Sequence, residues 1–236
     1  MPLPTIATPT FELILPSNGK KIKYRPFLVK EERVLILALE TGDTADITRS
    51  IKDVLKACIL TRGVKVDQLP TFDIEYLFLN IRGRSVGETT KLLVNCPDDG
   101  GQTQVTVEVD ISEVQVIKDK SHSIDIDIDG NYKLRMKYPS LDQFINNNFN
   151  FKDEEQDVFK MVASCVDLVY DDETAYDDFT EKEMVKFLEQ FNSAQFREIE
   201  NFFDTMPKLS HTINVTNPNT GVENEVVLEG LSSFFA

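Results

Sequence analysis

Several groups of residues have types and spacings that could do chemistry. Residues 123–130, SIDIDIDG, place Asp125, Asp127 and Asp129 on alternate positions ahead of Gly130. That is the first half of a calcium loop, which needs oxygen ligands at its first, third and fifth positions and a bidentate Glu at the twelfth. The twelfth position here is Met136, whose thioether is a poor ligand for a hard cation. The intervening isoleucines alternate with period two, so the stretch reads as a strand, a turn at Asp129-Gly130-Asn131 and a second strand. Cys96, beside a turn, resembles half a zinc knuckle. A structural zinc site needs four ligands, but position 99 is Asp and no second Cys pair follows. No metal and no cofactor is expected.

Only two histidines are available, His122 and His211. Neither lies near a nucleophile-elbow sequence, and a relay needs a positioned imidazole with a nucleophile in reach. Acidic pairs occur at Asp171-Asp172-Glu173 and Asp177-Asp178. A hydrolase would need two carboxylates in contrasting environments across a cleft, whereas clustered loop acids are usually solvated charge. No catalytic residue is singled out. Arg82 and Arg84, in IRGRS, have two readings. They could complement a helix C-terminus, at about 0.3–1 kcal/mol each, or serve as ion-pair anchors for a partner, since arginine is enriched at interfaces.

The elements that must carry these residues follow from periodicity. Residues 11–15 and 21–27 alternate around Pro16-Ser17-Asn18-Gly19, a hairpin. A helix from Leu28 carries Val29, Val34, Leu35 and Leu39 on a broad apolar face and stops at Gly42. A second runs from Thr44 to about Leu60, capped by Asp43. A third opens at Pro70-Thr71, with Thr71 as cap, and loosens at Gly83 and Gly87. Residues 91–96 and 102–110 form a second hairpin, and 123–138 a third. Ser140 to Gln143 and Thr180 to Glu183 are capping boxes. Residues 149–170 read as one helix, with Val158, Met161, Val162, Cys165, Val166 and Val169 on a stripe. Ser193 caps another helix that stops before Pro207, and a hairpin turning at residues 217–221 closes the chain. The fold class is α+β, mostly helical in the last third. Two domains are expected, residues 1–139 and an acidic region 140–236 closed by the hairpin, with a single domain as the alternative.

Net charge is −15 over 236 residues. Such a chain is repelled by nucleic acid and anionic membranes, so a protein partner with a basic or apolar surface is expected. Residues 151–206 hold sixteen acids against five bases, which reads as a solvated helical face. No apolar run approaches the ~18 residues that span a bilayer, and the N-terminus lacks signal-peptide character. Cys58, Cys96 and Cys165 are therefore expected to be reduced thiols in a cytoplasm, Cys58 and Cys165 on buried helical faces. At the C-terminus, Phe234 and Phe235 either tuck back into the fold or anchor another chain.

The runs FLVKEERVLILALETGD, ITRSIKDVLKACI and LPTFDIEYLFLNIRGRSVGE resemble the baseplate hub assembly protein family of T-even-type contractile-tailed bacteriophages. The resemblance is clearest from Leu13 to Glu88 and continues through the Cys96 hairpin. It implies a non-enzymatic role in tail morphogenesis, as an assembly chaperone that binds another tail or hub protein. The alternative it leaves is a permanent minor subunit of the virion baseplate hub; a hydrolase using the acidic clusters is a third reading. The implied location is the host cytoplasm during assembly, or the virion baseplate. No small-molecule substrate is implied. Candidate partner-binding residues are Tyr76, Arg82, Arg84, Ser85 and Glu88 within the matching string, with Phe234 and Phe235 at the terminus.

Overall fold

Alternation of apolar and charged side chains sets the first hairpin of the computed structural model, which describes residues 6–41, 43–140 and 154–234. Strands β1 (Phe11–Ile14) and β2 (Lys21–Tyr24) pair antiparallel, Leu13 opposite Ile22. Leu13, Ile22 and Tyr24 face inward while Glu12, Lys21 and Lys23 face solvent. The turn closes through Gly19 at φ 69°, a backbone region open to glycine. Among the described residues, six helices and eleven strands in small sheets make the fold α+β.

The chain divides into two compact units. The first comprises Met1–Val66, Phe72–Ile117 and Lys208–Ala236, the second Asp67–Thr71 and Lys118–Pro207. This differs from a single cut near residue 139. Strand β10 (Lys208–Thr216) lies between β11 (Glu223–Glu229) and β5 (Gln115–Ile117). Lys208 pairs with Ile117, so the C-terminal hairpin joins the first unit.

In that unit, helices α1 (Val29–Thr41) and α2 (Thr44–Cys58) pack on each other. Asp43 caps α2 by accepting from the Asp46 amide at 3.1 Å; Gly42, the expected stop of α1, lies outside the described residues. Helix α3 (Thr71–Val86) is buried nearly all round, through Phe72, Ile74, Leu77, Phe78, Leu79 and Ile81, the pattern of a core helix. It runs through Gly83 and breaks at Gly87, φ 137°. Gly83 is buried within the helix and does not loosen it; a Cβ there would lie 3.5 Å from the Ile111 side chain, an ordinary contact. Thr71 does not cap it; the Thr71 hydroxyl donates to the Pro139 carbonyl at 3.2 Å. Strands β3 (Thr89–Asn95) and β4 (Gln104–Asp110) form the second hairpin. Leu79, Leu92, Val109, Ile111, Leu209 and Phe234 share one core.

The second unit is built on an antiparallel sheet in sequential order: β6 (Asp125–Asp127), β7 (Lys133–Met136), β8 (Val166–Tyr170) and β9 (Ala175–Tyr176). Helices α4 (Glu154–Ser164), α5 (Glu181–Leu188) and α6 (Ser193–Thr205) complete it. The helix expected over 149–170 ends at Ser164. Val166–Tyr170 leaves the helical stripe and pairs with β7, Leu134 opposite Val169, so sheet pairing overrides helical periodicity. Cys165 sits at that junction, buried but not on a helical face. Thr180 and Glu183 form the expected capping box. The cap of α6 is Asn192, reciprocated by Gln195, one residue before the expected Ser193. The expected helix start at Ser140 to Gln143 runs into residues outside the described set. Residues 154–234 carry four strands beside their three helices.

Candidate interaction surface

Helix α1 is anchored by one narrow face. Glu31 accepts from the Leu28 amide at 2.7 Å and from Arg25 at 3.0 Å, which caps the helix and explains how a carboxylate can be buried there. Neutralisation by Arg25 and the Leu28 bond outweigh burial and hold its pKa below the usual glutamate range. Leu35 and Ala38 follow on the same face at helical spacing, half-buried and buried.

The other side is aliphatic and faces water. Val29 is 77% exposed, Val34 45%, Ile36 49% and Leu37 58%. Sequence periodicity grouped Val29, Val34, Leu35 and Leu39 as one apolar face. Of these, Val29 and Val34 point out and Leu35 is half-buried, and the Leu39 side chain is outside the described set. Isolated exposed aliphatics are ordinary, but several on one helix make a patch of the kind that marks interaction sites.

The residues singled out in the sequence are placed otherwise. Tyr76 is half-buried against the core that contains Phe234. Arg82, also half-buried, donates to Thr90 Oγ1 at 3.3 Å. Arg84 pairs with Glu88, and its guanidinium lies 5.0 Å from the centre of the Phe11 ring, a cation–π contact. Ser85 donates to the Ile81 carbonyl at 2.5 Å and accepts from the Phe27 amide at 2.9 Å. At the C-terminal end of α3, Arg84 thus reaches the first hairpin, Ser85 the segment that follows it and Arg82 strand β3. Arg84 and Glu88 remain exposed at its end. Phe234 is tucked in at 0% exposure, so its ring packs the core; Phe235 lies outside the described residues.

The chain matches the family model of the T4 bacteriophage base plate protein over residues 8–236. It belongs to that family. No curated protein and no solved structure matches this baseplate-family chain.

Several other chemical groups of the baseplate protein have structural partners. Asp125 bonds Arg135 at 2.8 Å, while Asp127 and Asp129 accept turn amides of Gly130, Asn131 and Tyr132. Each is held below the usual carboxylate range where a shift is resolved, Asp125 by Arg135 and Asp129 by the Tyr132 and Asn131 amides. Asp171 caps its own turn through the Glu173 and Thr174 amides. His122 lies between Thr205 Oγ1 and Tyr138 OH, 3.0 Å from each. Burial pushes the thiols of Cys58 and Cys165 up to about 11, so both stay protonated at neutral pH. Among the described residues no three His, Cys, Asp or Glu side chains gather as a metal site. No described helix is long and apolar enough to cross a membrane.

Sequence reasoning missed a polar clasp between two hairpin turns. Asn217 donates to Asp98 at 2.9 Å and Asp99 at 3.2 Å, Thr220 donates to Asp98, and the Asp98 amide donates to Asn224. The partners lie more than a hundred residues apart, so no local spacing could reveal them.

Proposed function

We propose that this protein is a non-enzymatic assembly factor of the phage baseplate hub, which works by binding another tail protein. The outward aliphatic face of α1 carries the reading: Val29, Val34, Ile36 and Leu37 stand ready to be covered by a partner surface. Membership of a baseplate family supports a tail protein as that partner. The carboxylates and the histidine engaged in turns, ion pairs and ring contacts support a role without bond chemistry. The protein acts in the host cytoplasm during assembly as a chaperone, shielding its partner until the hub is built. Arg84 and Glu88, exposed at the end of α3, are secondary contact candidates.

The test is capture of tail proteins from infected cells by tagged wild-type protein and by Ile36→Lys/Leu37→Lys. Wild type should recover a tail protein stoichiometrically and the variant should lose at least ~10-fold, as truncated hot-spot positions do. Equal recovery by both refutes the α1 site. Mass spectrometry of purified virions then decides the role: absence supports a chaperone, and stoichiometric presence makes the protein a permanent hub subunit.

A further inference from the structure

The outward face of α1 carries charge in a particular order. Val29, Arg33, Ile36 and Glu40 succeed one another at helical spacing, with Leu37 beside them. Arg33 and Glu40 are exposed, and neither has an opposite charge in contact among the described residues. They lie seven residues apart, about 10 Å along the axis, too far to pair within one helix.

A partner that satisfies both must present the opposite order: an acid near Arg33 and a base near Glu40, around an aliphatic centre. An antiparallel copy of the same helix does this. With a two-fold axis between Ile36 and Leu37, Arg33 lies beside the partner's Glu40 and Glu40 beside the partner's Arg33. Ile36 then meets the partner's Leu37 across the axis. We infer that α1 is a self-complementary face on which a second copy of this chain docks, antiparallel, as a two-fold dimer. Such an interface is isologous and closes at two copies. Antiparallel charge pairing of this kind selects partner and register in helical pairs.

The contact is small. α1 has 13 residues, about 20 Å of helix, which places it at the low end of interface sizes. The long-range field also opposes it, because each copy carries −15. The dimer is therefore reversible. It goes beyond the proposed function; the two use the same α1 face, so a bound tail protein displaces the second copy. A monomeric protein would overturn the pairing and leave capture of a tail protein standing.

The experiment is sedimentation velocity of the full-length protein at ~5–200 μM and ~150 mM salt, a range suited to a weak interface. Wild type should shift from monomer toward dimer as concentration rises. Arg33→Glu and Glu40→Arg should each weaken association at least ~10-fold, and the double variant should recover to within ~3-fold of wild type. Circular dichroism melting checks that the variants, altered only at exposed positions, remain folded. The inference is overturned if wild type stays monomeric throughout, if the single variants associate like wild type, or if the double variant fails to recover.

Discussion

Acidification tests the environment of His122. The proton on its ring can be placed from its partners. The Thr205 hydroxyl donates to the Asn201 carbonyl at 2.6 Å, so its oxygen is left to accept, and His122 Nδ1 carries the hydrogen. Nε2 then accepts the Tyr138 hydroxyl proton at 3.0 Å. The ring stacks on Tyr138 at 5.6 Å between centroids and lies tilted against Phe202 at 5.2 Å. Protonating Nε2 sets two donors face to face and charges a ring held among aromatics. Burial pulls the pKa down, Lys118 adds to this, and Asp119 opposes it. The folded value thus lies below the unfolded ~6.5. Between the two the unfolded chain binds more protons, so stability is complete above ~6.5 and falls as pH drops toward the folded value. The loss is about one net hydrogen bond, ~0.5–1.5 kcal/mol, or about 1–6 °C in Tm for a chain of this size. His122→Phe keeps the stacking and removes both the bonds and the titration. Its Tm deficit against wild type should be larger at pH 7.5 than at pH 5.5. Both proteins keep His211 and every carboxylate, so the difference isolates position 122. A deficit that widens on acidification, or an NMR titration of His122 with a midpoint above ~6.5, refutes the argument.

Phe234→Ala should destabilise by about 3–5 kcal/mol, the cost of removing a fully buried ring, measured by urea unfolding; a change below ~1 kcal/mol would mean the ring is not core. Removal of residues 231–236 should likewise lower stability, so it would not test partner binding cleanly. Burial raises the Asp73 pKa, with the Ser17 bonds only partly offsetting it. Its folded value lies above the unfolded ~3.9, so its contribution is present below that value and lost as pH rises through the folded one. Asp73→Asn should therefore melt higher than wild type at pH 7, with the gap closing toward pH 3; a lower melting point at pH 7 contradicts this. Asn217→Ala, which removes a fully buried amide and its bonds to Asp98 and Asp99, should cost about 1–3 kcal/mol. Amide exchange at Asn219 and Thr220 should quicken, and unchanged exchange there would dissolve the clasp.

Elements with a self-contained local pattern were legible in the sequence. The first hairpin, its turn at 16–19 and the terminal hairpin around 217–221 combine clean alternation with glycine or asparagine at the turn. The Thr180–Glu183 box needs only two residues at fixed spacing. Val166–Tyr170 was not legible as a strand, because Val158, Val162, Val166 and Val169 also fit a helical stripe. Five residues cannot discriminate the two periods; what decides is β7, which lies on the other side of a long insertion. Helix α1 failed for a related reason. Apolar periodicity says which residues share a face but not whether the fold covers that face. The anchoring here runs through Glu31, a charged residue whose burial depends on Arg25. The string containing Arg82, Arg84, Ser85 and Glu88 carried the family resemblance, yet those side chains chiefly fasten α3 to its neighbours.

Local and global electrostatics act on different ranges here. A net charge of −15 works over a Debye length, about 8–10 Å at physiological salt, and keeps copies of the chain apart wherever they meet at random. An aliphatic face in such a protein needs its own guidance if it is to be covered by one partner in one orientation. Arg33 and Glu40 supply it at contact range, where opposite charges are least screened. Elsewhere among the described residues every fully buried side-chain nitrogen and oxygen has a hydrogen-bond partner. Aliphatics elsewhere are also exposed, Ile14, Val86, Leu93 and Ile117 among them, but at α1 four lie on one helix with Arg33 and Glu40 to direct a partner. That face is where a second copy docks.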